Sequence, residues 1–220
     1  MLMLYLINAV VFDAEWDKPY DRDYNVQKGD FTDINGAVQN VDFMHSDEYK
    51  YLDDGKAVGF IKPYKNNHYS FVALLPNEGV AIKDYIGSLT GAGFINAVKN
   101  SQSETVYASL PKFEYEYDIQ MNEALKTLGM PDAFDDEKAD FTKMAASGAG
   151  NIYISAVIHK TFISVDELGT KAGAATLVEA AGGGMPSEPK TVRLDRPFVY
   201  AIIDAATALP VFIGTVMTID

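Results

Sequence analysis

The side chains that titrate near neutral pH are three imidazoles, His45, His68 and His159, and no cysteine accompanies them. A thiol nucleophile, a disulfide framework and a thiolate metal site are therefore excluded. The histidines are far apart in sequence and none belongs to a HExxH pattern, so their spacing builds no zinc centre. Asp53-Asp54-Gly55 and Asp135-Asp136-Glu137 concentrate carboxylates. Neither run has the alternating ligand positions of a calcium loop, and both read as solvated turns. No phosphate-cradling GxxxxGK[ST] is present, no GxGxxG stands between a strand and a helix, and there is no GxSxG elbow. The residues call for no cofactor and no metal, and they give enzymatic chemistry little support.

Charge narrows the partners further. Acidic residues number 31 against 18 basic ones, a formal net charge of −13. That balance leaves no electrostatic footprint for a nucleic-acid backbone or an anionic membrane surface. Hydrophobic residues make up 48% and charged residues 22%, a mixture that buries a core.

The elements read mainly as strands. Residues 2–12 are apolar on both parities, which predicts a buried central strand covered on each face. The segment has no basic leader, no small-residue cleavage site and too few residues to span a bilayer, so no signal peptide is visible. Asp17 to Asp42 suits loops and short exposed strands. Lys56–Tyr64 and His68–Leu75 read as a hairpin around Lys65-Asn66-Asn67. Two short helices fit residues 80–99, broken near Gly91 and Gly93, and Thr105–Tyr117 alternates as strand. A helix is expected next, with Asp118 near its N-cap, Met121, Leu125 and Leu128 on one stripe, and a stop at Gly129 and Pro131. Residues 152–165 form a long central strand, and residues 192–219 return to strand with a turn at 204–207. The fold class is α+β with a β majority.

Between these strands lies a segment of different composition. Residues 169–189 are rich in Gly and Ala and contain no aromatic side chain. Even positions from 170 to 180 are Thr170, Ala172, Ala174, Thr176, Val178 and Ala180, all small or apolar. The two charges, Lys171 and Glu179, fall on odd positions. Alternation of this kind lets the segment enter a sheet with its even face buried. Composition alone favours a flexible linker.

Asp166-Glu-Leu-Gly-Thr-Lys-Ala-Gly-Ala-Ala-Thr176 resembles the hinge of the reactive-centre loop in serpins. Leu6-Ile-Asn-Ala-Val-Val-Phe12 with Trp16 and Pro19 is similar to that family's strand 3A and breach. Leu110-Pro-Lys-Phe113, Leu125-Lys-Thr-Leu-Gly129 and Asp132 to Phe141 are similar to its strand 6A and following helices. Ile154-Ser-Ala-Val-Ile-His-Lys160 resembles strand 5A, and Asp195-Arg-Pro-Phe198 with Pro210-Val-Phe-Ile-Gly214 the closing strands of sheet B. The motifs run in family order along nearly the whole chain. It resembles the C-terminal portion of a serpin, beginning near strand 3A, as one partial serpin domain over residues 1–220.

The resemblance implies mixed β-sheets, a few helices and an exposed reactive-centre loop over about residues 167–190. It also implies suicide inhibition, in which a serine protease cleaves the loop and the loop inserts as a new strand while carrying the acyl-enzyme. Gly169 and Thr170 would lie at the hinge, Ala172, Ala174 and Ala175 would keep the entering strand slim, and Glu167 would pair with Lys112 at the loop's base. Thr170 is then expected to pass from solvent to the buried face of the sheet. Asn8 and His159 would meet in the shutter within hydrogen-bonding reach, and Trp16 would sit in the breach where the loop first enters.

Counting forward from the hinge puts the scissile bond at Gly183–Gly184. Counting back from Asp195-Arg-Pro-Phe198 puts it near Pro186–Ser187. The candidate region is therefore Ala181, Gly182, Gly183, Gly184, Met185, Pro186 and Ser187, whose residues are mostly small. An elastase-like or subtilisin-like enzyme would accept them, whereas a trypsin-like enzyme would find no basic residue for its charged pocket. The family also implies a secreted, extracellular protein. Exposed sheet edges would invite self-association or pairing with an N-terminal fragment. The rival readings are a non-inhibitory binding or structural protein on the same fold and an inactive fragment.

Overall fold

The computed structural model describes residues 2–145, 148, 150–170 and 188–219. The chain opens with β1 (Leu2–Val11), the two-residue β2 (Ala14–Glu15) and a single helical turn, α1 (Arg22–Asn25), whose first turn is capped by the Asp21 carboxylate. β3 (Val26–Thr32) and β4 (Val38–Glu48) pair antiparallel, so the polar stretch after Trp16 holds a regular strand. β5 (Tyr51–Asp53), β6 (Ala57–Pro63) and β7 (Tyr69–Pro76) follow as a meander. Its β6–β7 turn uses Asn66 and Asn67 at φ 69° and 55°, the left-handed region that asparagine tolerates. α2 (Ile82–Ser88) and α3 (Gly91–Lys99) are the two expected short helices, the second capped by the Thr90 hydroxyl on Gly93 N. β8 (Val106–Pro111), β9 (Phe113–Gln120), α4 (Asn122–Thr127), β10 (Ile152–Val165), β11 (Gly169–Thr170), β12 (Lys190–Arg193), β13 (Phe198–Asp204) and β14 (Pro210–Val216) complete the order. The class is α+β with strands in the majority, as expected. Among the described residues no helix is long and apolar enough to cross a membrane.

The chain divides into two compact units. The first comprises residues up to Phe12 with Tyr115–Ile163. Here β1 lies parallel to β10 from Leu2↔Ile152 to Val11↔Phe162, and β9 also pairs with β10. Asn122 ties α4 to this sheet, donating to the Ser155 carbonyl and accepting from Val157 N, each at 2.9 Å. Two expectations fail in this unit. Asp118 is not a helix cap: β9 runs on through it to Gln120, and its carboxylate meets Lys160 at 2.6 Å. β1 is a strand but not a buried one, with Tyr5 59% and Ile7 71% exposed. Apolar residues on both parities record the surroundings a strand is suited to, and the described residues cover neither face of β1 fully.

The second unit comprises Asp13–Glu114 and the chain from Ser164 onward. Two antiparallel-rich sheets build it, ordered β12-β8-β4-β3 and β14-β13-β7-β6-β5. α2 and α3 cover one face of the five-stranded sheet. Ile82, Tyr85, Phe94 and Val98 pack there on Leu52, Val72, Leu74, Val199, Ala201 and Ile203. The opposite parity carries Phe71 and Tyr200, stacked at 6.1 Å, so β7 and β13 are buried on both faces. Both acidic runs end in turns: Asp54 accepts from the amides of Lys56 and Ala57, and Asp135 from those of Glu137 and Lys138.

Candidate functional site

The site lies in the second unit, where the chain leaves β10 and reaches residue 170. Asp166 makes the turn: its carboxylate accepts from Leu168 N at 2.8 Å and Gly169 N at 3.2 Å, a local side-chain pattern that favours a tight reversal. β11 then pairs antiparallel with the end of β10 at Val165↔Thr170 and with β2 at Gly169↔Glu15 and Thr170↔Ala14. Gly169 is required by volume, because a β-carbon there would collide with the Ala14 carbonyl.

The three consecutive carbonyls of residues 166–168 are held by two aromatic residues. The Trp16 indole N–H donates to Asp166 O at 2.9 Å, Trp16 N to Leu168 O at 2.9 Å, and Tyr20 N to Glu167 O at 2.8 Å. Trp16 is 1% exposed. It stacks on Tyr64 at 4.5 Å and meets the edges of Tyr20 and Phe71, geometries that aromatic quadrupoles favour.

Glu167 sits between two cations. Lys112 Nζ is 2.9 Å from its carboxylate and Arg22 Nε 3.7 Å, with the Glu167 side chain 13% exposed. Burial pushes the Glu167 carboxyl up, but the hydrogen bond and charge of Lys112, aided by Arg22, outweigh it and hold the group below its ordinary value. The Lys112–Glu167 pair is thus formed in the structure, with Arg22 as a third member.

Thr170 corrects an expectation. Its side chain is already fully buried rather than awaiting burial, and its hydroxyl lies 2.6 Å from the Tyr64 phenol oxygen. The reason is that β11 is already seated between β2 and the end of β10. Burial pushes the Tyr64 phenol well above its ordinary pKa.

Asn8 and His159, in the first unit, are register partners across β1 and β10. Asn8 is exposed and His159 half-buried, and among the hydrogen bonds of the described residues none joins the two side chains. The hinge positions Ala172, Ala174 and Ala175 lie outside the described residues. So do the scissile candidates Ala181, Gly182, Gly183, Gly184, Met185, Pro186 and Ser187.

Sequence reasoning missed Tyr20, Tyr64, Asp166, Arg22 and a buried pair, Lys62 and Glu48. The Lys62 signal was present, a lysine inside the otherwise apolar run Ala57-Val-Gly-Phe-Ile-Lys62. A pocket of about 620 Å³ opens beside this pair, lined among others by Tyr20, His45, Ser46 and Ser109. Among the described residues no group of three or more His, Asp or Glu side chains is placed to hold a metal.

The profile of the serpin (serine protease inhibitor) family matches residues 2–219. An uncharacterized serpin-like protein of Thermococcus kodakarensis is 33% identical over 217 residues, covering 97% of this chain and 49% of that protein. Leukocyte elastase inhibitor A of Mus musculus is 30% identical over 235 residues, covering 98% of this chain and 58% of that protein. The crystal structure of the thermophilic serpin tengpin in its native state superposes with a TM-score of 0.90 at 56% identity, covering 98% of this chain and 55% of that one. The chain spans about half the length of the curated relatives it matches. With the family profile matching from residue 2 to 219, the chain belongs to the serpin family.

Proposed function

We propose that this chain carries the loop and part of the receiving sheet of a serpin-type suicide inhibitor of serine proteases. The observation that supports it most is the antiparallel rung Val165↔Thr170. An antiparallel ladder keeps the sum of partner numbers constant, so extending this rung along β10 would bring Ala172 opposite Ile163, Ala174 opposite Thr161 and Thr176 opposite His159. Those even positions share a face with Thr170, which is buried, and each is small enough to follow it. The entering strand would take the place of β1 beside β10 and separate Asn8 from His159. Residues 171–187 would be the exposed segment that the protease cleaves.

Small residues around 180–184 favour a protease with a shallow primary pocket, elastase-like or subtilisin-like. The similarity to a leukocyte elastase inhibitor agrees with the first of these. The test is incubation with an elastase-like and a subtilisin-like protease, followed by denaturing electrophoresis. A boiling-resistant complex of summed mass is expected. Cleavage without any such complex, for both enzymes, would replace this reading by that of a non-inhibitory member of the fold.

A further inference from the structure

Glu48 and Lys62 form an ion pair with side chains 6% and 2% exposed and Nζ 2.8 Å from Oε1. The Ser46 hydroxyl donates to the same carboxylate oxygen at 2.7 Å and lies 3.3 Å from the Tyr20 hydroxyl. Taking two charges out of water is costly, and an apolar pair of similar volume is often at least as stable. Stability alone therefore gives no reason for the pair to stand here. Its position does. Lys62 Nζ lies 4.3 Å from the centre of the Tyr20 ring and 5.4 Å from that of Trp16. A cation over an aromatic face is attracted most strongly when both are desolvated.

Those two rings belong to the two residues that donate to the carbonyls of Asp166, Glu167 and Leu168. Trp16 also carries the stacked Tyr64, whose hydroxyl meets Thr170. Every one of these holds on residues 166–170 thus comes from a residue whose ring touches either Lys62 or Trp16. We propose that Lys62, held in place by Glu48, is the positioning residue for the base of the loop: its ammonium fixes the Tyr20 and Trp16 rings, and they fix the chain that leads into the hinge. Burial draws the Lys62 pKa down, but Tyr20 and Glu48 outweigh burial and leave it raised, so the group stays an ammonium. The use made of a fixed loop base rests on the inhibitory reading above, whereas the positioning is a property of this unit's own packing.

The test is amide hydrogen exchange on the 220-residue chain. Lys62→Met combined with Glu48→Leu removes both charges without leaving either one unpaired. The amides of Trp16 and Tyr20 are expected to exchange at least tenfold faster in this variant, with those of β7 and β13 within twofold of the parent. A folded double variant that keeps the parent's protection at Trp16 and Tyr20 would overturn the proposal. The exchanged pair, Lys62→Glu with Glu48→Lys, keeps an ion pair but turns a carboxylate toward the ring faces. It is expected to lose protection as the first does, and full protection in it would equally overturn the proposal. If neither variant folds, the parent decides. Its Lys62 ε-methylene protons should be shifted upfield by the Tyr20 ring, and ordinary lysine shifts would refute the geometry. Complex formation with the protease is then scored separately: a parent that forms none defeats the inhibitory reading and leaves the exchange result standing.

Discussion

The Thr170 hydroxyl and the Tyr64 phenol meet at 2.6 Å with both side chains buried, so β11 is fastened to the residue that follows β6. Tyr64→Phe removes the partner of a buried hydroxyl. A loss of about 1–3 kcal/mol is expected, the usual cost of such a group left without its hydrogen bond. Urea denaturation of the two proteins measures it, and equal midpoints would show that the contact contributes nothing.

Tyr64 also predicts an alkaline limit. Burial raises its pKa in the folded state, so the folded phenol holds its proton where an unfolded one releases it. Tyr20 is shifted in the same direction, again chiefly by burial. Their contribution is complete below the ordinary phenol value of about 10 and falls away as pH rises beyond it. The measurement is stability against pH from 8 to 12 with tyrosinate absorbance followed in parallel. Early ionisation of every tyrosine while the fold persists would contradict it.

Glu167 sets the opposite limit. Its carboxyl lies below the ordinary range, so its stabilisation is present above the unfolded value near 4.3 and is lost as pH falls through the lower folded value. Glu167→Gln should flatten the acid limb of the stability profile at a cost of about 1–2 kcal/mol at neutral pH, between an exposed pair and a charged hydrogen bond. An acid limb of undiminished slope in the variant would assign it to other carboxylates.

In β11, between β2 and the end of β10, Thr170→Arg would force a guanidinium into a site with no exposed surface. An unpaired buried charge costs several kcal/mol even after relaxation. Because Thr170 is already seated in the folded chain, Thr170→Arg should lower the urea midpoint, whereas Lys171→Arg, on the opposite parity, should change it little. An unchanged midpoint in the Thr170→Arg protein would show that this seat accepts the charge and that the burial of Thr170 contributes nothing.

Elastase-like cleavage should fall between Ala180 and Ser187, because that window has small side chains and belongs to the segment proposed as exposed. Mass spectrometry of the released C-terminal piece locates the bond. Cleavage solely after Lys171 or Arg193 would overturn the assignment.

What the sequence made legible was whatever depends on local pattern. The β6–β7 hairpin with its Asn turn and the paired helices α2 and α3 follow from parity and spacing. Exposure of β1 was not legible, since Tyr5 and Ile7 state a preference for cover and not whether cover is present. Asp118 resembled a helix cap because aspartate suits that position, but pairing of β9 with β10 carried the strand past it. Lys62 and Glu48 stand fourteen residues apart on strands of two different sheets, and only the packing of β4 near β6 brings their charges together.

Strand direction in β1, β10 and β11 has an energetic meaning. β1 runs parallel to β10, while β11 runs antiparallel to β10. A strand entering on that heading between two parallel neighbours would be antiparallel to each of them. One ladder of slanted bonds would give way to two ladders of straight ones, and parallel pairing is slightly the weaker per residue. The closed arrangement of β1 on β10 therefore holds fewer and poorer hydrogen bonds than the same residues would make with one more strand. On the inhibitory reading proposed above, the drive toward insertion would lie in the order and direction of the strands, whichever protease cut the chain.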